Sequence, residues 1–252
     1  MPETPDELVH YAVADAVATI TLDSPHNRNA LSRQLVTELV ERLERADADP
    51  LVRVVLVRQA GRVFCSGADL TEATTVGMEE GALRIVALQR LVATMDKPVV
   101  TRIEGAVRAG GIGIVAASDL AVSADDATFA LTEVKLGLAA AIISLTVHAR
   151  MNPRAAALTT LGGETFSGAD AASYGLVTTA VPAAELDDAV ATLCAQLATG
   201  AAQGLRESKR ILNADLVARI DARGAEMAAL SARLFASDEA REAMTAFLNR
   251  AK

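Results

Sequence analysis

Two segments of small residues contain the groups in this chain whose types and spacing suit catalysis. Residues 64–70 read Phe-Cys-Ser-Gly-Ala-Asp-Leu, and residues 105–111 read Gly-Ala-Val-Arg-Ala-Gly-Gly. Each follows a β-rich apolar run at a point where the chain should turn into a helix, so backbone N–H groups there can point at a ligand. Two amides that converge on one oxygen atom form an oxyanion hole, which stabilises an enolate. The pair of segments therefore favours such a hole over two ordinary strand-to-helix turns.

The apolar pattern predicts the elements that position these segments. It predicts strands at residues 8–13, 17–22, 52–57, 99–103, 119–123, 128–130 and 177–181. It predicts helices after the N-cap Ser32, at 79–95, 110–118 and 139–150, from Pro153, and at 169–174 after the N-cap Ser167. From Ala183 to Asn249 only helices are expected. We therefore predict an α/β fold of repeated ββα units with two regions, a core at 1–182 and a C-terminal helical region at 183–252.

Composition excludes several classes of function. The 252 residues carry a net charge of −8 and only 3% aromatic residues, which argues against nucleic-acid binding. No run of about 18 apolar residues lacks charges, so no membrane span is expected, and the polar start shows no secretory signal. Cys65 and Cys194 lie far apart and match no metal or redox spacing. The sequence predicts a soluble cytoplasmic protein without a metal site.

Three further segments complete a set that points to a family. Residues 22–31 read Leu-Asp-Ser-Pro-His-Asn-Arg-Asn-Ala-Leu, and residues 129–137 read Phe-Ala-Leu-Thr-Glu-Val-Lys-Leu-Gly. The third segment begins at Gly162 and ends near Val181. Together with the two small-residue segments, and in this order, they resemble the crotonase superfamily, the enoyl-CoA hydratases and isomerases. The resemblance runs from about residue 8 to residue 248, and it is strongest to an actinobacterial subset that is usually called enoyl-CoA hydratase.

The resemblance implies a crotonase-like spiral of ββα units and an acyl-CoA substrate, with CoA as part of the substrate and no separate cofactor. By position, the oxyanion amides should be those of Ser66 and Gly110, and Glu133 should be the catalytic acid/base. The resemblance also implies a set of substrate-binding residues, namely Arg28, Ala30, Ala68, Asp69, Leu70 and Gly111. Lys209 is a weaker candidate for a phosphate contact, and a solvated helix face is the preferred interpretation there.

Two departures from the family pattern leave the reaction open. Gly113 stands where family hydratases carry the first of two glutamates, and residues 139–144 replace a segment that is usually rich in glycine. The first expectation is an enoyl-CoA hydratase with Glu133 as its only glutamate, in which an unidentified group replaces the other. For that group the sequence offers only poor candidates, namely Asp69, Glu72, Asp119 and His148. The alternatives are an enoyl-CoA double-bond isomerase, which needs one base, and an acyl-CoA-binding protein with little or no turnover.

The C-terminal helices have two possible partners. In the family they pack against neighbouring subunits, so the resemblance implies a homotrimer or a hexamer built as a dimer of trimers. An amphipathic helical pair that covers the sheet of its own chain is equally compatible with residues 225–247.

Overall fold

The computed structural model describes residues 6–75 and 78–250, and the described chain opens with a β-hairpin. Strands β1 (Val9–Ala14) and β2 (Val17–Leu22) pair antiparallel, with Val9 opposite Leu22. The two residues of the turn, Asp15 and Ala16, have φ values of 50° and 61°. Positive φ at both positions gives the turn a twist that matches the flanking strands, so the hairpin closes without splaying.

Each later repeat of the chain places one strand in each of two sheets. The first sheet has the order β1-β2-β3-β5-β7-β10, and the second has the order β4-β6-β8-β9. The further strands of the first sheet are parallel to β2 and are β3 (Val54–Gln59), β5 (Val99–Ile103), β7 (Leu120–Ala124) and β10 (Thr179–Val181). The strands of the second sheet are β4 (Val63–Cys65), β6 (Ala106–Arg108), β8 (Thr128–Ala130) and the antiparallel β9 (Phe166–Ser167). Both small-residue segments therefore leave neighbouring strands of the second sheet.

Helices connect these strands and cover the sheets. In chain order they are α1 (Arg33–Ala48), α2 (Leu70–Thr75), α3 (Glu79–Thr94), α4 (Gly110–Ala117), α5 (Ala141–Arg150), α6 (Pro153–Gly162) and α7 (Gly168–Ser173). Both predicted N-caps are confirmed. Ser32 Oγ accepts from the Leu35 N–H at 3.3 Å, and Ser167 forms a capping box with Asp170. Short 3₁₀ turns lie at Pro25–Asn27, Thr132–Leu136 and Ala183–Glu185.

The sequence misplaced some boundaries and missed the shortest elements. The strand expected at 52–57 is β3 at Val54–Gln59, the last strand is shortened to Thr179–Val181, and the helix expected at 139–150 begins at Ala141. The three-residue strands β4 and β6 were not predicted, because a run this short rarely shows a recognisable alternation, although the equally short β8 was predicted. These two strands are nevertheless the ones that fix where the small-residue segments begin.

The C-terminal region consists of helices that pack on the core of their own chain. They are α8 (Leu186–Ala198), α9 (Ala202–Leu212), α10 (Ala214–Phe235) and α11 (Asp238–Arg250). Helix α10 packs against α3 and α5, and its Leu216, Ile220 and Met227 belong to the same apolar cluster as the first sheet. Helices α8 and α10 thus share one hydrophobic core with the first sheet, while Ala240 and Met244 of α11 pack with Leu138 in a second, small apolar cluster. No helix in the described ranges is long and apolar enough to cross a bilayer.

Candidate active site

Three chain segments meet at the ends of the second sheet. The Leu31 N–H donates to the Gly67 carbonyl at 2.8 Å, and Leu31 forms a parallel bridge with Ala68. Gly67 has a φ of +97°, and a Cβ there would lie 2.9 Å from the Cβ of Ala109. A side chain at position 67 would therefore collide with the second segment. This close approach brings the two small-residue segments into contact, as the sequence suggested.

The second segment ends at the first residue of α4. Ala109 precedes the helix with the uncommon backbone angles φ 44° and ψ −118°, and Gly110 is its first residue. The first N–H groups of a helix have no intrahelical acceptor. Across the described residues, neither the Gly110 N–H nor the Ala68 N–H donates to another protein group. A Cβ at Gly110 would lie 3.9 Å from the Ala68 nitrogen, so these two free amides are neighbours.

The Ser66 amide is not free. Its N–H donates to the carbonyl oxygen of Arg28 at 3.1 Å, while the Ser66 hydroxyl donates to the Asn27 carbonyl at 3.0 Å. An amide that is bonded to its own chain cannot also stabilise a substrate oxygen without breaking that bond. The expectation that Ser66 supplies the first oxyanion amide is therefore wrong, and the geometry favours the amide of Ala68, two residues further along the same segment.

Glu133 lies on the 3₁₀ turn Thr132–Leu136, which fixes its backbone tightly. The Leu138 N–H donates to the Glu133 carbonyl at 2.9 Å, and Gly137 ends the turn in the left-handed conformation with a φ of 68°. The side-chain atom Oε2 is buried and has no hydrogen-bond partner. Burial raises the pKa of Glu133 to about 7, because the charged form loses its hydration. A carboxyl group with such a pKa can both accept and donate a proton near neutral pH.

A cavity of about 60 Å³ connects these groups. It is lined by three of the predicted site residues, Glu133, Gly110 and Ala68. Its lining consists of Ala68, Met78, Ile85, Ala109, Gly110, Glu133, Ala139, Ala140, Ala141, Ile142, Ile143, Ser231 and Phe235. The contribution of α10 through Ser231 and Phe235 was not anticipated. The available signal was Ser231 itself, a hydroxyl residue in an otherwise apolar helical stripe.

Position 113 has no room for a glutamate. A Cβ at Gly113 would lie 2.6 Å from Cγ2 of Ile143 and 3.3 Å from Oε1 of Gln89. Gln89 Oε1 in turn accepts from the hydroxyl of Thr146 at 2.8 Å. Ile143 comes from the segment that departs from the family pattern, so the two departures noticed in the sequence are in contact. The space that a second carboxylate would need is filled by an apolar side chain.

Asp69 and Leu70 have local structural contacts. Asp69 Oδ1 accepts from the backbone N–H groups of Thr71 and Glu72 at 2.9 and 3.2 Å, and its Oδ2 accepts from the Asn27 amide at 3.2 Å. Asp69 therefore caps α2 and ties it to the N-terminal segment. Leu70 packs into a small apolar cluster with Leu138 and helix α11. Asp69 also lines a groove next to Ala68, so its assignment to substrate binding stays a prediction.

The other predicted binding residues lie beside the site. Arg28 is exposed and has a φ of 58°, while Ala30 is buried. Gly111 is a packing position, because a Cβ there would lie 2.6 Å from the Cβ of Cys65 and 3.1 Å from Cγ1 of Val107. Gly111 thus lets α4 approach the second sheet closely. Substrate contacts by Arg28 and Ala30 stay predictions.

Lys209 is in neither of the environments expected for it. It is 4% exposed, and its Nζ lies 2.8 Å from Asp119 Oδ2 and donates to the carbonyls of Val92 and Lys97, each at 2.8 Å. The interpretations as a solvated helix face and as a phosphate contact are therefore both wrong. Because Asp119 is held in this ion pair, its role is structural. His148 is exposed on α5. Within the described chain, none of the four candidates for a second proton-transfer group lines the cavity of Glu133.

Comparisons with known proteins agree with this architecture. The family model of the enoyl-CoA hydratases/isomerases matches residues 12–252. The crystal structure of an enoyl-CoA hydratase from Mycobacterium avium is 44% identical, with a TM-score of 0.91 and coverage of 97% of both chains. A second enoyl-CoA hydratase structure, from Mycobacterium avium subsp. paratuberculosis, is 30% identical with a TM-score of 0.87, covering 98% of this chain and 97% of that one. A hydroxycinnamoyl-CoA hydratase-lyase from Pseudomonas fluorescens is 31% identical over 198 residues, or 75% of this chain and 72% of that protein.

The fold and these likenesses define the chain as an α/β protein of the crotonase superfamily. Within the superfamily, the chain belongs to the enoyl-CoA hydratase/isomerase family, which is a family of enzymes. The two mycobacterial structures support the resemblance to actinobacterial members.

Proposed function

We propose that this enzyme binds an unsaturated acyl-CoA thioester and transfers a proton through an enolate, with Glu133 as its only catalytic carboxyl group. The observation that carries the proposal is the shared cavity, in which Glu133 lies with the free amides of Ala68 and Gly110. In this arrangement the thioester oxygen accepts both amide hydrogens, and the acyl carbons extend past the carboxylate. Each amide contributes roughly 3–4 kcal/mol when it stabilises a developing oxyanion.

The reaction that the geometry supports best is the isomerisation of a 3-enoyl-CoA to a 2-enoyl-CoA. The Glu133 carboxylate removes a proton from carbon 2, and the electron pair spreads over carbon 4 and the thioester oxygen. The same carboxyl group then returns the proton to carbon 4, so that no second group and no water are consumed. The apolar surroundings and the filled space at Gly113 suit this reaction, because Ile143 leaves no place for a second carboxylate.

Hydration of a 2-enoyl-CoA is the second candidate. It is favoured by the likeness to the Mycobacterium avium enoyl-CoA hydratase, which extends over nearly the whole chain. In this reaction Glu133 takes a proton from a water molecule that adds at carbon 3 and returns one to carbon 2. Hydration needs a further polar group to hold the water, and it cannot use a glutamate at position 113.

A paired assay distinguishes these reactions. Hydration removes the absorbance of the conjugated thioester from a 2-enoyl-CoA, whereas isomerisation creates that absorbance from a 3-enoyl-CoA. Absorbance gained from the 3-enoyl substrate alone supports isomerisation, and absorbance lost from the 2-enoyl substrate supports hydration. If the absorbance changes with neither substrate while acyl-CoA raises the melting temperature, the protein binds acyl-CoA without converting it, and the proposed turnover is overturned.

A further inference from the structure

Helix α10 presents a single polar side chain on its buried stripe. The buried positions of the helix are Leu216, Ile220, Gly224, Met227, Ala228 and Ser231. Ser231 is 5% exposed and lies four residues before Phe235, so the two share one face of the helix. Because the rest of the stripe is apolar and packs on α3 and α5, an alanine would serve equally well for packing at this position.

The Ser231 hydroxyl has no hydrogen-bond partner among residues 6–75 and 78–250. Two other buried hydroxyls, one just after α4 and one in α6, bond back to a carbonyl one turn earlier in the chain. Ser118 Oγ donates to the Ile114 carbonyl at 3.0 Å, and Thr159 Oγ1 donates to the Ala155 carbonyl at 2.8 Å. Ser231 instead lines a cavity, where a ligand or water oxygen could reach its hydroxyl.

The cavity is the one that contains Glu133. Among its described lining residues, only Glu133 and Ser231 carry polar side-chain atoms, and the wall is otherwise built of alanine, glycine and large apolar residues such as Ile85, Ile143 and Phe235. Glu133 Oε2 is also without a partner. The described wall therefore offers a ligand oxygen atom side-chain hydrogen bonds only at Glu133 and Ser231, in addition to the free backbone amides of Ala68 and Gly110.

We propose that Ser231 is a specificity-determining residue, whose hydroxyl hydrogen-bonds an oxygen atom in the acyl cavity. A serine hydroxyl donates one hydrogen bond and accepts others, so it matches an alcohol oxygen on the acyl chain or a water molecule. A carboxylate is excluded, because the described lining of the cavity offers it no cation and places Glu133 nearby. This inference rests on the proposed function, since it assumes that the cavity holds the acyl group.

The test compares two CoA thioesters that differ by one hydroxyl group. Binding of butyryl-CoA and of 3-hydroxybutyryl-CoA is measured by calorimetry for the wild type, Ser231→Ala and Ser231→Thr. If the hydroxyl binds an oxygen of the acyl chain, Ser231→Ala weakens 3-hydroxybutyryl-CoA binding about three- to tenfold and leaves butyryl-CoA within about twofold. Ser231→Thr, which keeps the hydroxyl, should retain most of the preference.

The other oxygen that the Ser231 hydroxyl could bind is that of a water molecule, and this case is tested by turnover of a 2-enoyl-CoA. In that case Ser231→Ala lowers kcat for hydration with KM unchanged, while the two binding constants stay in their wild-type ratio. Ser144→Ala is the matched control, because Ser144 Oγ on the facing helix α5 already donates to the Ala141 carbonyl at 2.6 Å. A Ser231→Ala variant with wild-type binding ratio and wild-type turnover overturns the inference.

Failure of the proposed function is visible separately. A wild-type protein that turns over no enoyl-CoA refutes the proposed reaction, yet the two binding constants still decide the role of Ser231. A wild-type protein that binds neither thioester refutes both proposals. Unfolding of Ser231→Ala is monitored by its melting temperature, and Ser231→Thr then provides the comparison.

Discussion

Ile143 occupies the space that a side chain at Gly113 would need. The two residues lie on adjacent helices, α5 and α4, and Cγ2 of Ile143 stands 2.6 Å from the position of a Cβ on Gly113. Taken alone, neither a glycine nor an isoleucine has a side chain with an evident chemical role. Together they replace a possible carboxylate with close apolar packing, and Glu133 is the only acidic residue in the described lining of its cavity. The loss of that possible carboxylate therefore depends on a pair of positions.

The contact between Ile143 and Gly113 can be tested by placing a carboxylate at position 113. Gly113→Glu alone should lower the melting temperature strongly, because its Cβ collides with Ile143 and its charge is buried without a partner. Gly113→Glu combined with Ile143→Ala should recover part of that loss and should raise hydration relative to isomerisation. Melting temperatures and the paired enoyl-CoA assay measure both effects, with Ile143→Ala as the control. A single Gly113→Glu variant of wild-type stability would contradict the packing argument.

Activity should depend on the ionisation of Glu133. Burial raises its pKa to about 7, and the proposed isomerisation needs the carboxylate, so kcat/KM should rise with pH through about 7 and then level off. Glu133→Gln should lower turnover by about 10²–10⁴-fold while keeping acyl-CoA binding. The measurements are a pH–rate profile and a thermal shift with acyl-CoA. Wild-type rates in the variant would remove Glu133 from the mechanism.

The same pKa shift makes a prediction about stability. The folded protein holds the Glu133 proton more tightly than the unfolded chain, whose value is near 4.5. The free energy of unfolding should therefore fall as pH rises from about 4.5 to about 7, by about 3 kcal/mol at most. Glu133→Gln has no proton to lose and should lack this contribution. Urea unfolding of both proteins at several pH values gives the difference, and identical pH slopes would refute the assignment.

The two free amides predict an effect of adding a methyl group. In Gly110→Ala the new Cβ would lie 2.8 Å from Leu31 Cδ1 and 3.9 Å from the Ala68 nitrogen, next to one of the two proposed oxyanion donors. Turnover should fall by about 10²-fold or more, the loss typical of one missing oxyanion donor. In the double variant Gly110→Ala with Leu31→Ala the collision with Leu31 is removed. If kcat stays low in this double variant, the loss of kcat is caused by disturbance of the amides and not by packing. Ser66→Ala should leave kcat unchanged.

The buried Lys209 should matter for folding and not for the substrate. Burial lowers the pKa of Lys209 although Asp119 opposes the shift. The Lys209 ammonium links α9 to Asp119, which directly precedes β7, and to the Val92 carbonyl near the end of α3. Lys209→Met leaves the Asp119 charge buried and should cost about 3–5 kcal/mol of unfolding free energy. The exposed Arg210→Met should cost less than about 1 kcal/mol. Denaturant unfolding of both variants gives the comparison, and a change in acyl-CoA affinity at equal stability would restore a binding role.

The sequence by itself determined most of the longer elements and the order in which they follow one another. Apolar periodicity located the long helices and the buried strands, and Ser32 and Ser167 marked helix starts, because these signals act between residues close in the chain. Glu133 and Gly110 were placed by motifs whose order along the chain mirrors the fold, and both line the cavity. The sequence also showed directly that position 113 carries no carboxyl group.

Only the tertiary structure decided which of these groups are available for chemistry. The Ser66 amide is used by the carbonyl of Arg28, which leaves Ala68 free, and the chain order does not show that pairing. Likewise, the contact of Ile143 with Gly113 and the entry of Ser231 into the cavity join residues from different helices. Which groups form hydrogen bonds and which space is filled depends on atoms that are close in three dimensions. Local sequence patterns do not show which distant residues become neighbours in the fold.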